Sequence, residues 1–153
     1  MDPELETLVE SIGALFEGEC DFIANAGNAS AAIATGMDGV NWAGVYLLRG
    51  GELVLGPFCG KPACTRIALG KGVCGTAAAR AETVDVDDVT AFPGHIACDP
   101  VSASEIVVPL ARPSGLIGVL DVDSSRKGRF GPDERAALER VAALLLEASG
   151  PAR

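Results

Sequence analysis

The hydrophobic pattern changes its period twice along the chain, and this change limits the folds that the chain can adopt. Residues 3–36 carry apolar side chains at the spacing of helices, and residues 132–149 do so again. Residues 41–125 instead hold short apolar runs that alternate with polar positions and end in glycine-rich turns, which predicts strands. Strands grouped between terminal helices favour an α+β fold, in which N-terminal and C-terminal helices flank a central antiparallel sheet.

A chain of 153 residues is about the length of one domain, and we expect 1–153 to form a single domain. The helical start divides into two predicted helices, the second over residues 19–35 with Cys20 as a packing residue. Residues 72–81 predict a short helix that is entered through a glycine-rich turn. Residues 88–103 show no periodicity, and a long connection of this kind is usually functional or disordered.

The charge balance excludes some classes of function. The chain has a net charge of −9 and no basic stripe, so we expect no nucleic-acid binding.

No apolar run approaches about 18 residues, so no membrane span is expected, and the N-terminus lacks the pattern of a signal peptide. We expect a cytoplasmic protein, and in that compartment its five cysteines are not expected to form permanent disulfides. The cysteines are then buried packing residues, metal ligands or redox catalysts.

Four of the cysteines fall in loops or at the ends of elements: Cys59, Cys64, Cys74 and Cys98. Small apolar filling under loops is one interpretation of this grouping. Structural zinc is another, because His95 and Cys98 form an H-x-x-C pair, but the other spacings lack a short zinc knuckle and we expect no metal. Redox chemistry needs a thiolate and a second thiol that can reach it, which these spacings permit.

Carboxylates gather near one end of the predicted sheet. Asp121 and Asp123 are two positions apart in the strand LIGVLDVD, so both lie on one face while Leu120 and Val122 face the core. Glu105 opens the preceding strand, EIVVPLA, and a hairpin across RPSG brings it to the same end. Carboxylates enclosed together repel one another, so at least one is expected to keep its proton to higher pH and to act as a general acid. The same cluster can bind a substrate ammonium.

The only tryptophan and the only tyrosine of the chain lie on one predicted strand. Trp42 and Tyr46 are four positions apart in NWAGVYLL, which keeps them on one face, and each has a polar tip that needs a partner when buried. We interpret them as a wall of a pocket. The turn GKGVCGT lacks the Walker ending and the dinucleotide pattern, but a helix start of this kind offers N–H groups to an anion such as a substrate carboxylate.

Seven stretches occur in an order that resembles a known family. They are NWAGVYLL, GPFCGKPACTRI, GKGVCGTAA, FPGHIACD, SEIVVPL, GVLDVDS and GRFG. Together they run from about residue 41 to 133 and are similar to the free methionine-(R)-sulfoxide reductases, which are GAF-domain proteins. The resemblance implies an antiparallel sheet flanked by helices, in agreement with the pattern above. It also implies reduction of free L-methionine (R)-sulfoxide without a cofactor, with thioredoxin as the external reductant.

The resemblance assigns roles position by position. Cys98 in GHIACD matches the catalytic cysteine, and Cys64 in GKPAC matches the resolving cysteine. Cys74 in GVCGT matches an auxiliary thiol and remains a second candidate for the attacking cysteine. The acidic catalytic and substrate-binding residues and the pocket aromatics match Glu105, Asp121, Asp123, Trp42 and Tyr46. The implied mechanism is attack of Cys98 on the sulfoxide sulfur, protonation of the departing oxygen by an acid, and closure of a disulfide by Cys64.

Cys59 departs from the family pattern, in which a polar residue such as glutamine is expected. The departure leaves open whether Cys64, Cys74 or Cys59 resolves Cys98. His95 is expected to shape the loop rather than to react. A GAF-type module that senses a small molecule without turnover is the alternative to an enzyme, and the N-terminal helix is a possible homodimer interface.

Overall fold

The computed structural model describes residues 1–95 and 100–150, which form helices around one sheet and confirm the predicted α+β fold. The helices are α1 (Pro3–Leu15), α2 (Phe22–Gly36), α3 (Gly72–Arg80) and α4 (Pro132–Ala148). The strands are β1 (Val40–Arg49), β2 (Glu52–Cys59), β3 (Arg66–Ala68), β4 (Val84–Val86), β5 (Ser104–Arg112) and β6 (Gly115–Ser124). Neighbouring strands pair antiparallel in the order β3-β2-β1-β6-β5-β4. Within the described ranges, no helix has both the length and the apolar character that crossing a bilayer requires.

A capping residue decides where α2 begins. The Asp21 side chain accepts a hydrogen bond from Ala24 N at 2.9 Å, so the helix starts at Phe22. The prediction of a helix from residue 19 is therefore wrong at this end. Cys20 lies before the helix and is exposed, so it is not the packing residue that the sequence indicated.

The two faces of the sheet carry cores of different size. Helices α1, α2 and α4 cover one face, and the larger core lies between them and the central strands. Helix α3 lies over the other face, against β5 and β6, with a smaller apolar cluster that includes Trp42 and Tyr46. Successive residues of β6 alternate between the faces, so Leu120 and Val122 enter the larger core while Asp121 faces the side of α3.

The long connection between β4 and β5 reaches the face that α3 covers at His95 and again at Ser102. It begins with a 3-10 turn, Val89–Ala91, and its first described part reaches His95. It is described again from Pro100 and enters β5 at Ser104. Both parts supply residues to the site described next.

Candidate active site

A pocket opens on the face of the sheet that α3 covers. Side chains of β1, β5 and β6 contribute to it, together with the turn into α3, the loop before β3 and the connection before β5. Its lining residues are Trp42, Tyr46, Ala63, Ile67, Lys71, Gly72, Val73, Cys74, His95, Ser102, Glu105, Asp121 and Asp123. The structure thus brings the predicted acidic and aromatic residues into one cavity with Cys74.

Strand register brings the three carboxylates together. In the β5–β6 pair, Glu105 lies opposite Asp123, and Val107 lies opposite Asp121. Residues paired across antiparallel strands project from the same face, so the carboxylates share the pocket face. Asp121 and Asp123 are 5% and 9% exposed, whereas Glu105 is half-buried. Glu105 therefore lies beside two buried aspartates, as the strand pattern predicted.

The environment of Asp121 favours its protonated form. Burial raises the pKa of the Asp121 carboxyl well above its usual range, and the negative charges of Asp123 and Glu105 raise it further. Hydrogen bonds that Asp121 shares with these two carboxyls act in the same direction. A carboxyl that keeps its proton above the usual acidic range can act as a general acid. Asp121 is therefore well suited to donate a proton in this pocket.

Cys74 lies among the carboxylates, near the start of α3. Its Sγ donates to Glu105 Oε2 at 3.7 Å, and Cys74 Sγ, one oxygen of Glu105 and one oxygen of Asp121 lie within 4.8 Å of one another. Burial raises the pKa of the Cys74 thiol, and the charges of Asp121, Glu105 and Asp123 raise it further. The thiolate is therefore disfavoured at Cys74, and only a thiolate is a good nucleophile.

The pocket gives no support to structural zinc. Among the described residues, the atoms close enough to share a metal ion belong to Cys74, Glu105 and Asp121. The pair of His95 and Cys98 that the sequence suggested for zinc includes a residue outside the described ranges, so it stays untested. Structural zinc sites hold the ion with four sulfur or nitrogen ligands, whereas this cluster offers one thiol and two carboxyls.

Gly44 explains how the aromatic wall packs. A Cβ at this position would lie 2.5 Å from Phe58 Cβ and 2.6 Å from Trp42 Cη2, so any other residue would push the rings apart. With glycine present, Trp42 stacks on both Tyr46 and Phe58, at ring-centroid distances of 6.0 Å and 5.4 Å. The sequence analysis did not single out Phe58. A glycine inside a strand is the signal that could have pointed to so close a contact.

The polar tips of the two predicted aromatics reach the loop between β2 and β3. Trp42 Nε1 donates to the main-chain oxygen of Lys61 at 3.0 Å, and the Tyr46 hydroxyl donates to the main-chain oxygen of Cys64 at 2.9 Å. Burial raises the pKa of Tyr46, and the nearby acids, Asp121 foremost, raise it further, so the hydroxyl keeps the proton that it donates. Both buried tips therefore have the partners that they were expected to need.

The cysteines differ in their bonding and in the face that they occupy. Cys64 is disulfide-bonded, whereas Cys59 and Cys74 are free thiols. Cys59 ends β2 opposite Ala43, which packs in the larger core on the helix-covered face. Paired residues share a face, so Cys59 projects away from the pocket. Cys98, the predicted attacking thiol, lies outside the described residues.

Two polar residues of the lining were not predicted. Lys71 directly precedes α3, is exposed and lines the pocket near the start of this helix. Ser102 lies before β5, and its Oγ accepts a hydrogen bond from Asn41 Nδ2 at 3.1 Å. Both residues belong to connections, which have no periodicity from which the direction of a side chain can be predicted. For Lys71, a lysine directly before a glycine-rich helix start was a usable signal.

Known proteins similar to this chain cover nearly its whole length. The GAF domain family matches residues 5–148. The free methionine-R-sulfoxide reductase of Escherichia coli is 49% identical over 138 residues, which cover 90% of this chain and 84% of that protein. The protein of the same name from Saccharomyces cerevisiae is 43% identical, over 92% of this chain and 83% of that protein. The free methionine-R-sulfoxide reductase of Neisseria meningitidis, solved in complex with its substrate, is 41% identical with a TM-score of 0.91, over 97% of this chain and 90% of that one.

Proposed function

This chain belongs to the free methionine-(R)-sulfoxide reductase family of GAF-domain proteins, and we propose that it reduces free L-methionine (R)-sulfoxide to L-methionine. The observation that carries the proposal is a single pocket that joins an aromatic wall, three carboxyl groups and the loop of Cys64. The aromatic wall suits the side chain of the substrate. The carboxyl groups suit its ammonium group and the proton that the reaction consumes. The loop supplies a thiol.

The two charged groups of the substrate fit different parts of the pocket. Its ammonium group binds the carboxylates of Glu105 and Asp123, which line the cavity. Its carboxylate binds near Lys71 and the N–H groups at the start of α3, where the helix dipole is positive. A pocket that binds both groups leaves no exit for a peptide chain. We therefore propose that the free amino acid is the substrate.

A methionine sulfoxide blocked at both ends tests this selectivity. The blocked compound lacks both charges, so its kcat/KM should be lower than that of the free amino acid by about 100-fold or more, as expected for the loss of two charge-assisted contacts. The R epimers of both compounds would be compared under the same reductant. Equal turnover of the two compounds would refute the enclosed binding of both ends.

The first chemical step is attack of the Cys98 thiolate on the sulfoxide sulfur. Asp121 protonates the departing oxygen, because burial and its neighbours favour the protonated form of this carboxyl. The substrate S–O bond breaks and the protonated oxygen forms a bond to the Cys98 sulfur, while the S–S bond made in the attack breaks again, so that Cys98 becomes a sulfenic acid. The substrate sulfur gains two electrons and the Cys98 sulfur loses two. L-methionine then leaves the pocket.

The second step regenerates the reactive sulfur through Cys64. Its S–H bond and the S–OH bond of the sulfenic acid break, an S–S bond forms and water leaves. Two observations support Cys64 in this role: it is disulfide-bonded in the structure, and Cys59 projects to the other face of the sheet. A thioredoxin dithiol then reduces the disulfide by exchange. This cycle uses no bound cofactor.

Cys74 is the other thiol that could attack, and its surroundings argue against that role. Cys74 is 4% exposed, and its burial and the neighbouring carboxyls raise its pKa. We assign it the auxiliary part of a hydrogen-bond donor to Glu105. In this part it helps to define the position of a carboxyl that binds the substrate.

A single-turnover assay tests the function. Fully reduced protein, without added reductant, is mixed with the R or the S epimer of free L-methionine sulfoxide. We expect about one equivalent of methionine per chain from the R epimer alone, with the loss of two thiols. Cys98→Ser should abolish this product and retain substrate binding, whereas Cys74→Ser should still form it. Absence of methionine from both epimers, in folded and reduced protein, would favour a binding or sensing domain.

Other expectations stay predictions. They are a single domain over 1–153, with helices in 3–36, sheet and active-site loops in 41–125 and a C-terminal helix in 132–149. Association as a homodimer through the N-terminal helix and a cytoplasmic location belong to the same group.

A further inference from the structure

We propose that Trp42 and Tyr46 are positioning residues for disulfide formation. Hydrogen bonds from their polar tips hold the loop that carries Cys64 and so determine how fast Cys64 closes the disulfide. This role is additional to that of a pocket wall. It rests on the proposed function, because it requires Cys64 to be the thiol that condenses with the sulfenic acid.

The loop of Cys64 lies between two paired strands. Ladder pairing of β2 ends at Cys59, opposite Ala43, and the pairing of β3 begins at Arg66, opposite Val54. Residues 60–65 between them have no regular secondary structure, and the side chains of Lys61 and Pro62 are exposed. A segment of this kind has many accessible conformations unless other groups fix it.

The fixed points come from the centre of the sheet. Trp42 and Tyr46 belong to β1, which is paired on both sides, and each is 2% exposed. The indole N–H reaches the carbonyl of Lys61 at 3.0 Å, and the phenol reaches the carbonyl of Cys64 itself at 2.9 Å. The loop is thus held at two points three residues apart by rings that stack on each other at 6.0 Å. A rigid strand thereby fixes the main chain at the reacting cysteine.

The indole N–H of Trp42 and the hydroxyl of Tyr46 both carry the proton that a hydrogen-bond donor needs. The indole N–H can only donate, and the Tyr46 hydroxyl keeps its proton because burial and the nearby acids raise its pKa. The condensation breaks the S–H bond of Cys64 and the S–OH bond of the oxidised Cys98, forms the S–S bond and releases water. Its rate depends on how often the two sulfurs meet in a reactive arrangement. Holding one of them in place raises this frequency.

Tyr46→Phe tests the inference, because it removes the hydroxyl and keeps the ring. The two steps are measured separately after one turnover of reduced protein with the R epimer. Methionine formation reports the first step, and the decay of sulfenic acid trapped by a dimedone-type reagent reports the second. We expect the rate of disulfide formation, divided by that of methionine formation, to fall about 3- to 10-fold, as for the loss of one buried hydrogen bond. Trp42→Phe should lower the same ratio through the Lys61 end of the loop.

Ser30→Ala is the matched control. It also removes a buried hydroxyl that donates to main-chain carbonyls, those of Ala26 and Pro57, but on the helix-covered side of the protein. Its ratio of rates should equal that of the wild type. If both aromatic variants keep the wild-type ratio, or slow only methionine formation, the two residues are pocket walls alone and the inference is wrong.

Two further results separate this inference from the proposed function. Wild-type protein that forms no methionine, or a Cys64→Ser variant that still forms an intramolecular disulfide, would contradict the proposed cycle. If the cycle holds, the turnover of Tyr46→Phe should be higher with a small dithiol that reduces the sulfenic acid directly than with thioredoxin. The small dithiol bypasses the disulfide that this variant forms slowly. A purely structural defect in the pocket would not respond to the choice of reductant.

Discussion

On one face of the sheet, Leu120 and Val122 of β6 are fully buried beneath the helices; on the other, Asp121 and Asp123 of the same strand are nearly as buried beside α3. Burial has opposite consequences for the two pairs. It stabilises the folded chain where it removes apolar side chains from water. It costs free energy where it removes carboxyls from water, and this cost appears as the raised pKa of Asp121. Apolar burial on the helix-covered face therefore offsets the free energy that is lost by burying a proton donor on the pocket face.

The largest expected effect comes from the pocket face. Asp121→Asn removes the proposed proton donor and keeps the size of the side chain, so kcat/KM for the R epimer should fall about 10²- to 10⁴-fold. The midpoint of urea unfolding should not fall, because the variant loses a buried group that is costly to ionise. A kcat/KM within tenfold of the wild type would show that another group donates the proton.

A large effect on stability, rather than on catalysis, is expected at Leu120, which directly precedes Asp121. Leu120→Ala removes a fully buried side chain from the larger core, so the free energy of unfolding should fall by about 2–5 kcal/mol. The kcat/KM of the folded fraction should stay near the wild-type value, since Leu120 points away from the pocket. Urea titration gives the first quantity and assays well below the unfolding midpoint give the second. A folded but inactive variant would mean that the two faces are not independent.

The pH dependence of stability isolates the cost of Asp121. Its pKa is higher in the folded chain than in the unfolded chain. Above about pH 4, the unfolded chain loses the proton of this carboxyl first, so the folded chain binds more protons than the unfolded chain does. The free energy of unfolding contributed by this group must therefore fall with rising pH until the folded pKa is passed, by up to about 1.4 kcal/mol per pH unit. Comparison of wild type with Asp121→Asn over this window should show that slope only in the wild type. Parallel curves would contradict the raised pKa.

The smallest effect is expected at the thiol on the helix-covered face. Cys59→Ser should change the free energy of unfolding by less than about 0.5 kcal/mol, because Cys59 is only half-buried. Its thioredoxin-dependent turnover should match that of the wild type, because its thiol projects away from the pocket. Cys64→Ser, measured beside it, should lose that turnover. A disulfide that contains Cys59 in the oxidised protein would overturn this assignment of faces.

Much of the architecture follows from patterns within single segments. The alternation in β6 correctly placed Leu120 and Val122 in the core and the two aspartates opposite, and the family implied by the sequence motifs is confirmed. The start of α2 was missed because an apolar stripe gives a helix its face and not its first residue, which the Asp21 cap decides.

What the sequence could not provide depends on contacts between segments. Cys74 meets Glu105 across 31 positions of the chain, and no local period encodes that contact. The face of Cys59 depends on an irregularity in the pairing of β1 with β2. Between the pairs Gly44–Phe58 and Tyr46–Leu55, β1 advances by two residues and β2 by three. This extra residue reverses the alternation in β2, so spacing alone gives the wrong face.

The crowding of carboxyls around Cys74 has a consequence for ligand binding. Burial, together with repulsion by the neighbouring acids, raises the pKa of the Asp121 carboxyl and of the Cys74 thiol. An incoming ammonium group supplies a positive charge in the same place, which lowers the pKa of these groups. Below its lowered pKa, Asp121 keeps the proton that it donates in the reaction; between that value and its pKa without substrate, binding releases a proton to the solvent and the affinity rises with pH. The heat of binding would accordingly differ between buffers of different ionisation enthalpy, in proportion to the number of protons that the pocket gives up.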